Sequence, residues 1–85
     1  MTEKELLDLF TRILRDLLGD DSVVLRMETM RSDIPQWDSF NYVNFIVAVE
    51  MELGIKFRVA DVDWFVTAGD IVGSARAMLA KEAAK

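Results

Sequence analysis

Leu6, Leu7, Phe10, Ile13, Leu14, Leu17 and Leu18 recur at intervals of three and four. This repeat lines one face of an α-helix and no face of a strand. It predicts a helix over 3–18 whose apolar stripe other elements must cover. Thr2 is the expected N-cap, and Glu3 and Glu5 stand in the first turn, where the helix dipole favours anions. Gly19 is the expected stop.

Residues 20–38 hold no sustained period. Asp20-Asp21-Ser22 and Arg31-Ser32-Asp33 are polar turn clusters, and Pro35 disfavours helix at Ile34. A connection this long is usually functional or disordered. Val23, Val24, Leu25, Met27 and Met30 predict that parts of it pack on the core, with room for a short helical turn. A second helix is expected from Ser39 to about Leu53, capped by Asp38 or Ser39 and ended by Gly54. Residues 55–59 alternate as a strand does. With no second strand to pair with, they are expected to be an extended loop that inserts Ile55 and Phe57 into the core. One or two helical turns follow over 60–65. Thr67 and Asp70 form a capping-box pattern, with Asp in place of the usual Glu or Gln. They open a last helix over about 68–81, with Ile71, Val72, Ala75, Met78 and Leu79 inward and 82–85 fraying. The expected fold is all-α: one domain over 1–85, with four helices, the third short and the first two joined by a long loop.

Composition narrows the function. The chain has 85 residues, no cysteine and no histidine. Disulfides, thiolate metal sites, cysteine nucleophiles and the commonest general base are therefore absent, and no enzyme is expected. The net charge of −5 is expected to repel a phosphate backbone and to attract basic protein patches. No apolar run approaches the ~20 residues that span a bilayer. The opening Met1-Thr2-Glu3-Lys4-Glu5 is neither a signal peptide nor a transit segment. A cytoplasmic, monomeric protein that binds neither membrane nor nucleic acid is the expectation.

The second helix is apolar almost all round. Advancing ~100° per residue places Tyr42, Phe45, Ile46, Val49 and Leu53 on one face. Phe40, Val43, Val47 and Met51 fall on another, roughly a quarter turn away. The first is the core face. The second is a candidate partner surface, unless the 20–38 loop or the third helix covers it.

Trp37-Asp38-Ser39-Phe40 closes the long loop and opens this helix, Glu50-Met51-Glu52-Leu53-Gly54 ends it, and Thr67-Ala68-Gly69-Asp70-Ile71 opens the last. In this order, and on an acidic chain of this length, the motifs resemble the acyl carrier protein and peptidyl carrier protein family across nearly the whole chain. That family has Asp-Ser-Leu at the head of helix two and Thr-x-x-Asp-(Ile/Leu) at the last helix. The resemblance implies a four-helix carrier bundle. It implies that Ser39 receives 4′-phosphopantetheine from coenzyme A through a phosphopantetheinyl transferase, with Asp38 organising that encounter. The arm then bears an acyl or aminoacyl group as a thioester and presents it to loading and processing enzymes with basic patches. Phe40, Val43, Val47, Met51 and Glu50 are the implied partner contacts.

Two positions depart from the family. Phe40 replaces the usual Leu, enlarging the apolar knob behind the serine. Asn41 and Asn44 stand where fatty-acid-synthesis carriers commonly have acids, leaving Asp38, Glu50 and Glu52 as the negative charges of helix two. A specialised stand-alone carrier fits this better than a housekeeping one. The alternative is an unmodified, carrier-like adaptor that works through helix two alone.

Other groupings carry less. Asp61, Asp63 and Asp70 lack the Gly-centred loop of an EF-hand, so no metal site beyond adventitious surface binding is expected. Asp20-Asp21 reads as a solvated turn. Trp64 and Phe65 read as core packing or, in a carrier, as lining of a cargo groove between helices two and three. Ser22, Ser32 and Ser74 lack the preceding Asp and the helix-start setting of Ser39.

Overall fold

The computed structural model describes residues 1–83, with side chains through Lys81. Four α-helices follow in order: α1 (Glu3–Leu18), α2 (Ser39–Leu53), α3 (Val59–Trp64) and α4 (Ala68–Ala83), with a 3₁₀ turn at Arg31–Asp33 inside the first connection. Among the described residues there is no β-strand, and residues 54–58 run as the loop the sequence predicts. The last helix continues two residues past the expected Lys81. Of the expected fraying over 82–85, positions 84 and 85 lie outside the described residues.

Each boundary has a local cause. Thr2 and Glu5 cap α1 reciprocally, the Thr2 hydroxyl accepting from Glu5 N–H (3.1 Å) and the Glu5 carboxylate from Thr2 N–H (2.9 Å). These bonds hold the Glu5 carboxyl below its usual range. Gly19 and Gly54 end α1 and α2 at φ +65°, in the left-handed region that glycine enters without strain. Asp70 closes the predicted box at α4. Its carboxylate accepts from Val66 and Thr67 N–H (2.9 and 3.1 Å) and its own N–H donates to the Thr67 hydroxyl (3.2 Å). The same bonds lower its pKa.

Leu6, Phe10 and Leu14 of α1, Phe45, Ile46 and Val49 of α2, and Ile71, Val72 and Ala75 of α4 form the core, with α1 packed against both α2 and α4. Phe10 and Phe45 meet edge to face at 5.6 Å between centroids, a geometry that adds about 0.5–1.5 kcal/mol to burial alone. Phe57 is buried and Ile55 half-buried, as expected.

The long loop is stitched to both flanking helices. Val23 and Leu25 turn inward while Val24, between them, is exposed; Met30 is exposed as well. Both were expected to help pack the loop. Extended backbone alternates its side chains, so only one of two neighbours can reach the core. Thr11 accepts from Leu25 N–H (3.2 Å) and Arg15 donates to the Val23 carbonyl (2.6 Å). The first two N–H groups of α4 donate to loop carbonyls: Ala68 to Thr29 and Gly69 to Met27, both at 2.8 Å. These donors have no partner within their own helix, so the loop acts as its cap.

Candidate functional site

The site is the junction between the loop and α2. Trp37 is 3% exposed and packs edge to face on Phe45, with 5.1 Å between ring centroids. Its backbone N–H donates to the Ile34 carbonyl at 3.0 Å. A large aromatic anchored at this point forces the next residues out of the core. Asp38 takes the N-cap in extended conformation, its carboxylate accepting from Asn41 N–H at 2.9 Å. The Asn41 side-chain amide donates back to the Gln36 carbonyl at 2.9 Å. That bond needs an N–H donor, which a carboxylate at position 41 would lack. The Asn41 side chain thus ties the first turn of α2 to the loop before it.

Ser39 follows as the first residue of α2. It is exposed, and its hydroxyl makes no hydrogen bond to any described residue. Phosphate fits this position, because the first N–H groups of a helix and its dipole favour negative charge. The adjacent Asp38 is exposed, with one carboxylate oxygen accepting from Asn41 N–H, and the chain has no histidine.

Beside Ser39 lies an open groove of about 810 Å³ between the loop, the head of α2 and α3. Ile34, Trp37, Val62, Phe65 and Ile71 give it an apolar lining, and Arg31, Asp38 and Asp63 are its charged groups among the described residues. Arg31 stacks over the Tyr42 ring, 4.8 Å from the centroid. The Tyr42 hydroxyl donates to the Val62 carbonyl at 2.7 Å, tying α3 to α2. Burial pushes the pKa of this phenol up to about 12. The Trp37 indole N–H is buried and has no partner among the described residues, an arrangement that costs about 1–3 kcal/mol. The sequence had no signal for this orphan donor, because nothing in the Trp-Asp-Ser order says which way the ring points.

The second apolar stripe of α2 is open. Phe40, Val43, Val47 and Met51 are 75, 57, 45 and 79% exposed, so neither the loop nor α3 covers them. Glu50 is drawn inward, where its carboxylate accepts from Phe57 N–H at 2.8 Å and holds the 54–58 loop. Trp64 corrects the sequence reading of core packing, for it is 81% exposed. Val62 on the six-residue α3 and Phe65 just past its end are half-buried, while Trp64 beside them turns to solvent. Phe65 does line the groove and meets Phe57 edge to face at 5.5 Å. The described residues hold no cluster of acids able to bind a metal ion, and no helix long and apolar enough to cross a membrane.

No family model matches the chain, and no curated protein matches it significantly. Among solved structures it is similar to the solution NMR structure of a holo acyl carrier protein from Geobacter metallireducens. The two are 36% identical, the match covers 92% of this chain and 90% of that one, and the TM-score is 0.84. The chain belongs to the acyl carrier protein family. Ser39 stands at the exposed head of α2 in this fold. An acyl carrier protein is a carrier rather than an enzyme.

Proposed function

We propose that Ser39 carries a 4′-phosphopantetheine arm, and that the protein presents acyl or aminoacyl groups on it to partner enzymes. The observation that carries this reading is the junction itself: an exposed serine with a free hydroxyl, first in its helix and preceded by an N-capping Asp38, in an acyl carrier fold. The similar solved structure is itself a holo protein.

In the loading step the Ser39 Oγ attacks the β-phosphorus of coenzyme A. A P–O bond to the serine forms and the bond to the 3′,5′-ADP leaving group breaks. The transferase supplies the base that takes the hydroxyl proton, and a metal ion. Asp38 acts twice: it presents the serine by capping α2, and its exposed carboxylate marks the junction for a basic partner. Once attached, the arm supplies a terminal thiol, so a cysteine-free chain can carry a thioester. The first N–H groups of α2 face the phosphodiester charge.

Partner docking falls to the α2 stripe. Phe40, Val43, Val47 and Met51 offer an apolar surface headed by a knob larger than Leu. Asp38 and Glu52 bring negative charge to the helix for basic patches on the partners, with Glu50 partly committed to the loop. The uncharged Asn41 and Asn44 weaken that charge and favour a specialised acyl, polyketide or amino-acid pathway. The reading carries with it a single-domain, monomeric, cytoplasmic protein.

Intact-protein mass spectrometry, after incubation with coenzyme A, magnesium and a broad-specificity phosphopantetheinyl transferase, tests the proposal. A gain of one phosphopantetheine that Ser39→Ala abolishes is expected. No gain with several transferases, on folded protein, would instead identify an unmodified adaptor that uses the same α2 stripe.

A further inference from the structure

At the far end of α2 from Ser39 lies a second open groove, of about 790 Å³, between the 54–58 loop, α3 and α4. It shares no lining residue with the groove beside the serine. The 15 residues of α2 set its two ends apart by about 22 Å, at ~1.5 Å of rise each. Lys56, Arg58 and Lys81 line this groove against the single carboxylate of Asp61. That is a local excess of positive charge on a chain whose net charge is −5. All three cations are exposed. Lys81 stands in the last turn of α4, where the helix dipole by itself favours a cation. No such reason places the other two. Lys56 has no ion pair among the described residues. Arg58 gives Asp61 its Nε, at 3.3 Å, which leaves the terminal amino groups of the guanidinium to another acceptor. Ile55 and Met78 line the same groove half-buried and give it an apolar floor.

We propose that this groove docks an acidic segment of a partner protein, one that alternates Asp or Glu with apolar side chains. The floor decides between anions. A bare phosphate draws its binding from charge and N–H donors and has no use for Ile55 and Met78. A peptide can set carboxylates on the cations and an apolar side chain on the floor between them. The two lysines supply point charges on flexible stems, and the arginine supplies a fork that takes two carboxylate oxygens at once. The net charge of the chain does not forbid the approach. At 0.1 M salt screening acts over about 10 Å, so a segment in the groove responds to the nearby cations more than to carboxylates at the opposite end. The contact does not depend on an arm at Ser39, and it leaves that serine free. A partner seated there holds the protein by one end while enzymes with basic patches reach the other.

The test is an NMR titration of the full ¹⁵N-labelled chain with a synthetic peptide that alternates glutamate with leucine. Backbone amide shifts should concentrate on 54–58 and on α4 from Ser74 to Lys81, with Ser39 and Phe40 unmoved. The same peptide with glutamine in place of glutamate should not bind. Lys56→Glu combined with Lys81→Glu should weaken binding at least about tenfold, because each reversal replaces an attraction by a repulsion. Both lysines are exposed, so the variant should keep wild-type helicity. If it does not, the wild-type chain decides by its salt dependence, since affinity should fall steeply as salt rises. Protein carrying the arm on Ser39, confirmed by mass, should bind the peptide as tightly as unmodified protein. Shifts centred on the α2 stripe, or an affinity indifferent to the double reversal and to salt, would overturn the proposal. An equal response to inorganic polyphosphate would also overturn it, by showing a plain anion site. Failure of Ser39 to take the arm would overturn the carrier function and leave this docking site standing.

Discussion

Gly69 and Gly73 lie one turn apart on α4, and a methyl group added at each meets different surroundings. At Gly69 a Cβ would stand 2.7 Å from the Met27 carbonyl oxygen, whereas at Gly73 it would meet nothing within 4 Å. The Met27 carbonyl is held there because it accepts the Gly69 N–H at 2.8 Å. To reach the ~3.3 Å of an ordinary C···O contact it must retreat by roughly 0.5 Å. That retreat stretches this bond and strains the neighbouring one from Ala68 to Thr29. Losing most of one or two such bonds at about 1 kcal/mol each outweighs the intrinsic preference of a helix for alanine, which is at most about 1 kcal/mol. Gly69→Ala should therefore destabilise the protein by up to about 1 kcal/mol net, which is roughly 4–8 °C in Tm for a domain of this size. Gly73→Ala, with open space, should stabilise it by about 0.5–1 kcal/mol through propensity and reduced unfolded-state freedom. Urea denaturation followed by circular dichroism reads both as shifts in midpoint at unchanged slope. Opposite signs are expected. Equal gains from both substitutions would refute the claim that the loop sits against α4 closely enough to require glycine.

Phe40→Asp and Val47→Asp place a charge on the open stripe of α2 and should change stability by no more than about 0.5 kcal/mol, while weakening partner binding measured by calorimetry. Loss of helical circular dichroism in either would show that the face is core. Tyr42 is the only tyrosine, so its phenolate absorbance titrates alone. Its pKa in the fold, about 12, lies above the ordinary 10.0. The Tyr42 contribution is therefore complete below pH 10 and is lost as pH rises toward 12, when the phenolate can no longer donate to Val62. Tyr42→Phe should remove that alkaline loss, at a cost near neutral pH of about 0.5–1.5 kcal/mol for one hydrogen bond. An ordinary tyrosine titration midpoint in the folded protein would contradict the buried geometry.

Helix positions were legible because their signals are local. The three-and-four spacing of Leu6 to Leu18, the glycines at 19 and 54, and the pairing of Thr67 with Asp70 each act within a few residues. The candidate site was legible for the same reason: Asp38 caps the helix that Ser39 opens, and both lie on one short motif. The Asp70 box shows how far this reaches, since the shorter carboxylate closes the cap that Glu or Gln usually makes. Trp64 shows where it stops. An apolar residue on a six-residue helix has no period long enough to show its direction, and it was Val62 and Phe65 that came to lie half-buried. Val24 was likewise unreadable beside Val23 and Leu25 until the extended backbone showed which of the neighbours faced α1.

The linear order of residues determined the all-α class, the limits of α1 and α2, the two apolar faces of α2 and the serine at its head. Only the tertiary structure decided that the second face stays uncovered, that Glu50 is drawn to Phe57, and that the loop carbonyls of Met27 and Thr29 cap α4 against Gly69. It also decided that Arg31, Trp37 and Tyr42 surround one groove beside Ser39. These pairings join different elements and loops, and no local propensity encodes them. They exist because burying α1 against α2 and α4 leaves the long loop one way to satisfy its backbone groups and its few inward side chains.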